Sequence, residues 1–371
     1  MPSKPRRTSG GRPIFAFEPH PSPIAASERS ARIADPGFGR VFTDHMVTMR
    51  WSEDAGWHEG RLHARQPLTM DPAAAVLHYA QEIFEGLKAY RTDDGGVALF
   101  RPEANARRFQ ESARRLAMPP LPEEYFVESV RALVAQEREW IPEIEGGALY
   151  LRPFMIASEV FLGVKPAGEY LYMVLASATG AYWKGGARAI SLWVSHEHSR
   201  AAAGGTGAAK CGGNYASSLV AQAEAIRRGC DQVVFLDAAE RRWIEELGGM
   251  NIFFLFADGS MVTPPLTGTI LPGITRDSIL RMARDEGVDA REEQYSIDQW
   301  QEDAASGRLV EAFACGTAAV VTPIGRVAGP DYGFTIGDGG TGPRTARILE
   351  RLSDLQRGRA PDPHGWLQRV D

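Results

Sequence analysis

The stretch Gly204–Leu219, GGTGAAKCGGNYASSL, sets one lysine, Lys210, between two runs of glycine and alanine. Small residues let backbone and side chains crowd around the amine at little steric cost. A lysine that is partly desolvated and lies near other cations has a lowered pKa and can attack a carbonyl carbon. The pattern therefore indicates a reactive amine, and its plainer alternative is a flexible surface loop that happens to contain a lysine.

Lysine is scarce elsewhere in the chain. Lysine and arginine together number 41, and the lysines are Lys4, Lys88, Lys165, Lys184 and Lys210. Arginine supplies the positive charge in most places, but a guanidinium stays protonated and does not bond a carbonyl in this way. A lysine in so crowded a setting is therefore a candidate for chemistry.

The composition of the 371 residues is that of a globular protein, with 44% hydrophobic and 24% charged residues. This length is sufficient for two domains. The net charge of −6 offers no basic footprint for nucleic acid, and apolar runs such as Ile252–Ala257 are too short to span a membrane. Three cysteines without zinc-ligand spacing predict no metal site and a cytoplasmic location.

Periodicity predicts an α+β arrangement in both halves of the chain. Residues 1–36 are predicted to be a disordered or extended arm, because the start is basic, rich in Pro, Ser and Gly, and lacks the apolar core of a secretory signal. A small domain over 37–178, a linker over 179–188 and a larger domain over 189–371 follow.

Two backbone turns in the second half are candidate anion sites. Leu-Pro-Gly precedes Ile274 and Thr275, and Thr275 is the predicted N-cap of a helix over Ser278–Glu286. Helix N-termini bind phosphate, although an ordinary capped helix has the same pattern. The small-residue turn at Cys315–Ala318 offers successive amides to a second set of anionic oxygens.

An acidic pair, Glu245-Glu246, lies downstream of Lys210. The lysine, an acid and two amide cradles are what pyridoxal phosphate requires, for its aldehyde, its pyridine nitrogen and its phosphate. In the first half, Arg152 interrupts an apolar strand beside Tyr150, so it should be paired or bind an anion. The aromatic residues of Leu77–Tyr90 fit either a pocket wall or an ordinary core.

Several runs of sequence resemble the branched-chain amino-acid aminotransferases, which are pyridoxal-phosphate enzymes of fold type IV. The resemblance extends from about Phe38 to the end of the chain, in the family's order. The runs in the second half are KCGGNYASS (Lys210–Ser218), EELGGMN (Glu245–Asn251), LPGITRDS (Leu271–Ser278) and FACGTAA (Phe313–Ala319). Those in the first half are FGRVFTDHM (Phe38–Met46), HYAQEIFEGLKAYR (His78–Arg91) and LYLRPFMIASE (Leu149–Glu159).

The resemblance implies a role for each matching residue. Lys210 corresponds to the lysine that binds the cofactor covalently and moves the substrate α-proton, Tyr215 to the tyrosine at the cofactor O3′, and Glu246, rather than Glu245, to the acid at the pyridine nitrogen. The implied phosphate ligands are Arg108, Ile274, Thr275 and Thr317. The implied substrate residues are Phe38, Tyr79, Phe84, Tyr150, Tyr182, Gly249, Met250 and Ala318, with Arg152 linked to the γ-carboxylate of glutamate.

The family resemblance also implies a two-domain fold like that of D-amino-acid aminotransferase, with the active site at the domain and dimer interface of a homodimer. The implied activity is reversible amino transfer between L-leucine, L-isoleucine or L-valine and 2-oxoglutarate in a ping-pong cycle. The alternatives are a sister enzyme, either a D-amino-acid aminotransferase or an aminodeoxychorismate lyase, and a non-catalytic cofactor-binding protein.

Three features depart from the family pattern. The turn between Asp237 and Glu246 is one residue longer, which bears on the choice between Glu245 and Glu246. Gly249 stands where many relatives have serine or threonine, and no second cysteine follows Thr317. The paired-cysteine redox switch of mammalian relatives is therefore not expected here.

Overall fold

The computed structural model describes residues 14–181 and 188–370. The chain divides into two compact units, the first containing the described residues up to 181 together with 354–370, the second containing 188–353. The predicted linker over 179–188 falls largely outside the described residues.

Strands and helices are present in both units, which confirms the predicted α+β class. The helices are α1 (Ala26–Ile33), α2 (Val76–Tyr79), α3 (Pro102–Arg115), α4 (Glu123–Gln136), α5 (Gly212–Arg227), α6 (Ile274–Asp285), α7 (Ile297–Ser306) and α8 (Pro343–Gln356). The strands are β1 (Ala16–Phe17), β2 (Val41–Phe42), β3 (His45–Ser52), β4 (Gly56–Ala64), β5 (Glu82–Phe84), β6 (Leu87–Arg91), β7 (Val97–Phe100), β8 (Ala148–Ala157), β9 (Glu169–Thr179), β10 (Ile190–Ser195), β11 (Gln232–Leu236), β12 (Ile244–Leu247), β13 (Asn251–Phe256), β14 (Met261–Thr263), β15 (Ala290–Glu292), β16 (Leu309–Gly316), β17 (Val320–Ala328), β18 (Gly333–Thr335) and β19 (Leu367–Val370).

The first unit is built on a sheet with the strand order β1-β4-β3-β9-β8-β6-β7-β19, with β2 on β9 and β5 on β8. Helices α3 and α4 contribute Phe109 and Phe126, whose rings pack with that of Tyr172 on β9. Tyr172 lies opposite Met155 on β8. Because side chains alternate along a strand, Tyr150 and Arg152 lie on the other face of the sheet.

The last strand returns to the first unit, although the sequence pattern assigns residues 189–371 to the second domain. Strand β19 pairs antiparallel with β7. Just before β19, the Trp366 ring packs against Phe100 and under the Arg101 guanidinium, whose carbon lies 4.6 Å from the ring centroid. Local periodicity does not reveal a pairing between strands so far apart in the chain.

The second unit is built on a mixed sheet with the order β12-β11-β10-β17-β16-β13-β14-β15, with β18 on β17. Its core includes Leu192, Val234, Phe254 and Trp300, all fully buried. Helix α5 packs on β11 and buries Ala221 and Ala225 against Val233. This packing fixes the helix that follows Lys210.

Two further observations bear on the sequence predictions. Within residues 14–181 and 188–370, none of the helices combines the length and the hydropathy needed to cross a bilayer. Cys211, Cys230 and Cys315 are buried free thiols.

Candidate active site

Lys210 lies just before α5, in a turn held by specific hydrogen bonds. The Asn214 amide donates to the carbonyl oxygens of Ala209 and Thr206, each over 2.8 Å, and the Thr206 hydroxyl donates to Asn214 Oδ1. Lys210 Nζ donates to the Tyr215 hydroxyl over 2.7 Å. These bonds are those of an ordered turn rather than of a flexible loop, and they set the amine beside the phenol.

The sequence predicts a helix over Ala216–Arg228, but α5 begins four residues earlier, at Gly212. Cys211 is its extended N-cap residue, with φ −133° and ψ 151°. The first turn therefore contains two glycines, which helix propensity disfavours. The early start places Tyr215 within the first turn, next to the lysine.

Glu246 is a buried carboxylate held by an arginine and a backbone amide. Arg200 Nη2 lies 2.6 Å from Glu246 Oε1, and the Leu271 N–H donates to the same oxygen over 2.7 Å. Burial raises the pKa of Glu246 to about 7, while the charges of Arg200 and Lys210 and the Leu271 N–H oppose this rise. The sequence prediction missed Arg200, which precedes the glycine run by four residues.

Glu245 lies on the opposite face of β12, since neighbouring residues of a strand alternate. The Thr269 hydroxyl donates to Glu245 Oε1 over 2.5 Å, and Oε2 has no partner among the described residues. Burial also raises the pKa of Glu245. Glu246 is the one of the two that has both an arginine and a backbone donor, which supports its assignment as the acid at the pyridine nitrogen.

Helix α6 begins at Ile274, and its N-cap residue is Gly273 rather than the predicted Thr275. A Cβ on Gly273 would overlap the Asn251 side-chain oxygen, and the Asn251 amide donates to the Leu271 carbonyl over 3.0 Å. Asn251 therefore holds the Pro-Gly turn closely against β13, and no side chain caps this helix. Its first N–H groups are positioned for an anion, with Ile274 and Thr275 in the first turn.

The turns after β12 and β16 lie next to each other. A Cβ on Gly316 would lie 3.5 Å from Met250 Cγ, and one on Gly249 would lie 3.4 Å from Tyr215 Cε1. The turn of Thr317 and Ala318 ends at Val320, whose φ of +59° is unusual for a β-branched residue. Gly249, predicted for the substrate site, thus lies near Tyr215, and Met250 lies near the turn that contains Thr317 and Ala318.

These groups fit pyridoxal phosphate. The second unit contains an amine for an aldehyde, a phenol beside it, a buried carboxylate for a ring nitrogen and a helix N-terminus without a side-chain cap. The buried Arg200 Nε atom, beside Glu246, has no hydrogen-bond partner among the described residues. The polarity of this cluster suits a polar cofactor better than a protein core.

In the first unit, Tyr150 and Arg152 form an aromatic and cationic cluster with two further predicted residues. Arg152 Nη2 donates to the Tyr150 hydroxyl over 2.9 Å, and its guanidinium carbon lies 4.8 Å from the Phe84 ring centroid. The Phe38 and Tyr150 rings are 5.0 Å apart. No carboxylate pairs with Arg152 among the described residues, so this cation remains available to an anionic ligand.

Arg108 is buried, unlike its exposed neighbours Arg107, Arg114 and Arg115 on the same helix. Its Nε and Nη2 atoms donate to the two oxygens of Glu85 over 2.7 and 2.8 Å, and the Asn105 amide donates to Glu85 Oε2. A bidentate pair of this kind fixes the plane of the guanidinium. The sequence prediction assigns Arg108 to the phosphate but does not identify Glu85 and Asn105, whose link to Arg108 is visible only in three dimensions.

We expect Glu85→Gln to lower the stability of the protein strongly. Removing one partner of a buried ion pair leaves an uncompensated charge and costs roughly 3 kcal/mol or more. The matched control is Glu111→Gln, which breaks the exposed pair with Arg114 on the same helix and should have little effect. Thermal unfolding of the two variants checks this. Equal unfolding midpoints would show that the buried Glu85–Arg108 pair stabilises the protein no more than the exposed pair does.

Among the described substrate residues predicted in the first half of the chain, Tyr79 makes no ring contact with the Tyr150 cluster. Tyr79 is 39% exposed and lies beside Leu162, whose carbonyl accepts a hydrogen bond from the Tyr79 hydroxyl. Tyr79 is therefore part of an exposed surface of the first unit. The prediction for Tyr182 falls outside the described residues.

The fold and these clusters define a class of enzyme. Residues 82–327 match the family described as amino-transferase class IV. The chain belongs to this family.

Individual relatives indicate the group within the class IV aminotransferases to which the chain is similar. The chain is 57% identical over 359 residues to a probable branched-chain-amino-acid aminotransferase of Streptomyces coelicolor, covering 96% of this chain and 99% of the relative. It is 53% identical to the branched-chain-amino-acid aminotransferase of Mycolicibacterium smegmatis, covering 96% and 98%. Among the class IV enzymes, the chain thus belongs with the branched-chain amino-acid aminotransferases.

Solved structures agree. The branched-chain amino acid aminotransferase from Escherichia coli matches with a TM-score of 0.70 and 31% identity, over 88% of this chain and 99% of that one. A second branched-chain amino acid aminotransferase, solved with pyridoxamine 5'-phosphate, matches with a TM-score of 0.71 and 31% identity, again over 88% and 99%. The branched-chain aminotransferase from the thermophilic archaeon Thermoproteus uzoniensis matches with a TM-score of 0.72 and 26% identity, over 88% and 100%. The predicted fold type IV architecture is confirmed.

Proposed function

We propose that this protein transfers the amino group of L-leucine, L-isoleucine or L-valine to 2-oxoglutarate and catalyses the reverse reaction, with pyridoxal phosphate bound at Lys210. The observation that carries the proposal is the ordered Lys210–Tyr215 pair in the same unit as the buried Glu246–Arg200 pair. The names of the relatives supply the substrate class.

The second unit supplies the groups for proton transfer. Pyridoxal phosphate offers an aldehyde to a lysine and a ring that accepts electrons from the substrate carbon. Lys210 Nζ removes the proton from the substrate α-carbon, and the Tyr215 hydroxyl beside it orients that amine. Glu246, paired with Arg200, would hold a proton on the ring nitrogen. Thr317 and the amides at Ile274 and Thr275 would bind phosphate oxygens, and the family resemblance assigns Arg108, on α3 of the first unit, to the phosphate as well.

Residues of the first unit determine which substrates bind. Phe38, Phe84 and Tyr150 provide apolar surface for a branched side chain. Arg152 donates a hydrogen bond to the Tyr150 hydroxyl and stacks on the Phe84 ring. It can therefore bind the second carboxylate of glutamate without first losing an ion pair with the protein. This arrangement explains how one enzyme accepts both leucine and glutamate.

The protein is further proposed to be a cytoplasmic homodimer. The supporting feature is an exposed apolar patch in the first unit, formed by Leu77, Tyr79, Val160, Leu162 and Val164, of which Val164 is 88% exposed. Backbone bonds join its two segments, from Ala75 N to Glu159 O and from Phe161 N to Ala73 O. A contiguous patch of large apolar side chains is typical of a protein interface, and a second copy is the proposed occupant.

We expect Val164→Asp to weaken this dimer, because a carboxylate in an apolar interface must be desolvated without a partner. Sedimentation velocity should show a shift from dimer to monomer at micromolar concentration. The control is Val288→Thr in the second unit, which lies outside the patch. A dimer that dissociates no more readily than the parent would exclude this patch as the interface.

A leucine titration of the purified protein tests the activity. Leucine should convert the absorbance of the lysine-bound cofactor to that of the amine form, and 2-oxoglutarate should restore it. L-Leucine, D-alanine and aminodeoxychorismate assayed side by side separate the proposed enzyme from its sister enzymes. Failure of every substrate to change the spectrum would indicate a non-catalytic cofactor-binding protein.

A further inference from the structure

A buried polar cluster in the first unit contains none of the residues assigned above. Asp44, His45, Glu137 and Trp140 are all at most 8% exposed. The His45 ring nitrogen Nδ1 bonds Glu137 Oε1, and the Asp44 N–H donates to Glu137 Oε2 over 3.3 Å. Glu137, just after α4, therefore fixes the backbone at the start of β3.

The Asp44 carboxylate joins three separate elements. Trp140 Nε1 donates to Oδ2 over 3.2 Å, and the Ile24 N–H donates to Oδ1 over 3.0 Å. The second bond closes a loop of the chain from Ile24 to Asp44. Each carboxylate oxygen accepts one of the two hydrogen bonds, so both oxygens are needed to hold Trp140 and Ile24.

The closed loop carries Phe38. Its first part is loosely attached, because α1 has no buried residue. Phe38 lies between Gly37 and Gly39, whose φ values of +62° and +69° turn the chain sharply. The Gly180 N–H donates to the Gly37 carbonyl over 3.1 Å, and the Phe38 ring lies 5.0 Å from that of Tyr150.

We propose that Asp44 is a positioning residue, which closes the 24–44 loop and thereby holds Phe38 against Tyr150 in the substrate pocket. Glu137, His45 and Trp140 hold Asp44 in turn. The inference rests on the proposed function, since Phe38 acts on the substrate only if the aromatic cluster binds the branched side chain.

The direct test is Asp44→Asn, which keeps the shape but supplies one acceptor oxygen for two donors. We expect the KM for leucine to rise about fivefold while kcat changes less than about twofold, since part of one charge-assisted bond is lost and the Lys210 cluster is untouched. Ile24→Pro removes the same hydrogen bond at the half-buried Ile24 and leaves the Asp44 carboxylate unchanged. It should reproduce the rise in KM even if the Asp44 variant folds poorly.

A second readout does not depend on activity. Trypsin cleavage at Arg29 or Arg32, both in the loop, should be faster in Asp44→Asn and Ile24→Pro than in the parent protein. Glu311→Gln is the matched control, because Glu311 is also a buried carboxylate that accepts two backbone N–H groups, from Arg344 and Thr345. It should lower thermal stability without changing the KM for leucine or the cleavage of the loop.

The results of these experiments distinguish failure of the Asp44 proposal from failure of the proposed function. An unchanged KM and unchanged cleavage in both loop variants would overturn the proposal, as would an equal rise in KM in Glu311→Gln. If the parent protein did not transaminate leucine, the proposed function would fail, while faster cleavage would still establish the loop closure itself.

Discussion

Lys210→Ala is expected to reduce transamination by at least about 10⁴-fold, the upper end of what a general base contributes, because the same amine is also the one proposed to bind the cofactor. The absorbance band of the lysine-bound cofactor should disappear as well. The structure supports so large an effect, because the Asn214 bonds fix the turn and the Tyr215 hydroxyl fixes the amine. No other amine is described near Glu246.

The strongest competitor for the cofactor is Lys88. It is buried on β6, and its pKa is lowered to about 8, first by burial and second by the charge of Arg357. Borohydride trapping followed by peptide mapping distinguishes the two lysines. The label should lie on residue 210 in both the parent protein and Lys88→Met, and should be absent from Lys210→Ala. A label on Lys88, or full turnover by Lys210→Ala, would refute the assignment.

Regular elements with strong local patterns could be predicted from the sequence. The run Ala148–Ala157 predicts a strand, because its apolar residues continue on both faces and Gly-Gly precedes it, and β8 has these same bounds. The pair Arg101-Pro102 predicts the start of an amphipathic helix, because proline in the first turn lacks an N–H that this turn does not need, and α3 begins at Pro102.

The starts of α5 and α6 could not be predicted in this way. The first turn of α5 contains Gly212 and Gly213, which local propensity assigns to a loop. Helix α6 starts after a glycine because the Asn251 side chain occupies the space of a Cβ, and this contact joins residues that are distant in the sequence. In both places tertiary structure overrides the local preference, and both places are next to predicted cofactor ligands.

The partners of the site residues were the larger omission. Arg200 pairs with Glu246 and Glu85 pairs with Arg108, and neither pair has a helical or strand spacing that marks it in the sequence. The sequence nevertheless indicates that such partners exist, because a charged residue that is predicted to be buried requires a partner of opposite charge. The same requirement predicts a partner of opposite charge for both Arg108 and Glu246.

The second large effect is expected for Glu246→Gln. The amide can accept a hydrogen bond but cannot hold a proton on the ring nitrogen by its charge, and electrostatic groups of this kind are worth roughly 10²- to 10³-fold in kcat. Glu245→Gln is the matched control, because Glu245 lies on the other face of β12 and bonds Thr269. A larger loss in Glu245→Gln would reverse the assignment of the two acids.

Glu246→Gln should also change how the stability of the cofactor-free protein depends on pH. Burial raises the pKa of Glu246 from 4.5 to about 7, so folding disfavours the ionised form. The stability associated with this carboxyl is complete below pH 4.5 and is lost as the pH rises through about 7. Glu246→Gln does not titrate, so its unfolding midpoint relative to the parent should be higher at about pH 8 than at about pH 5.5. A difference that is the same at both values would mean that Arg200 keeps Glu246 ionised throughout, and that the ion pair outweighs the cost of burial.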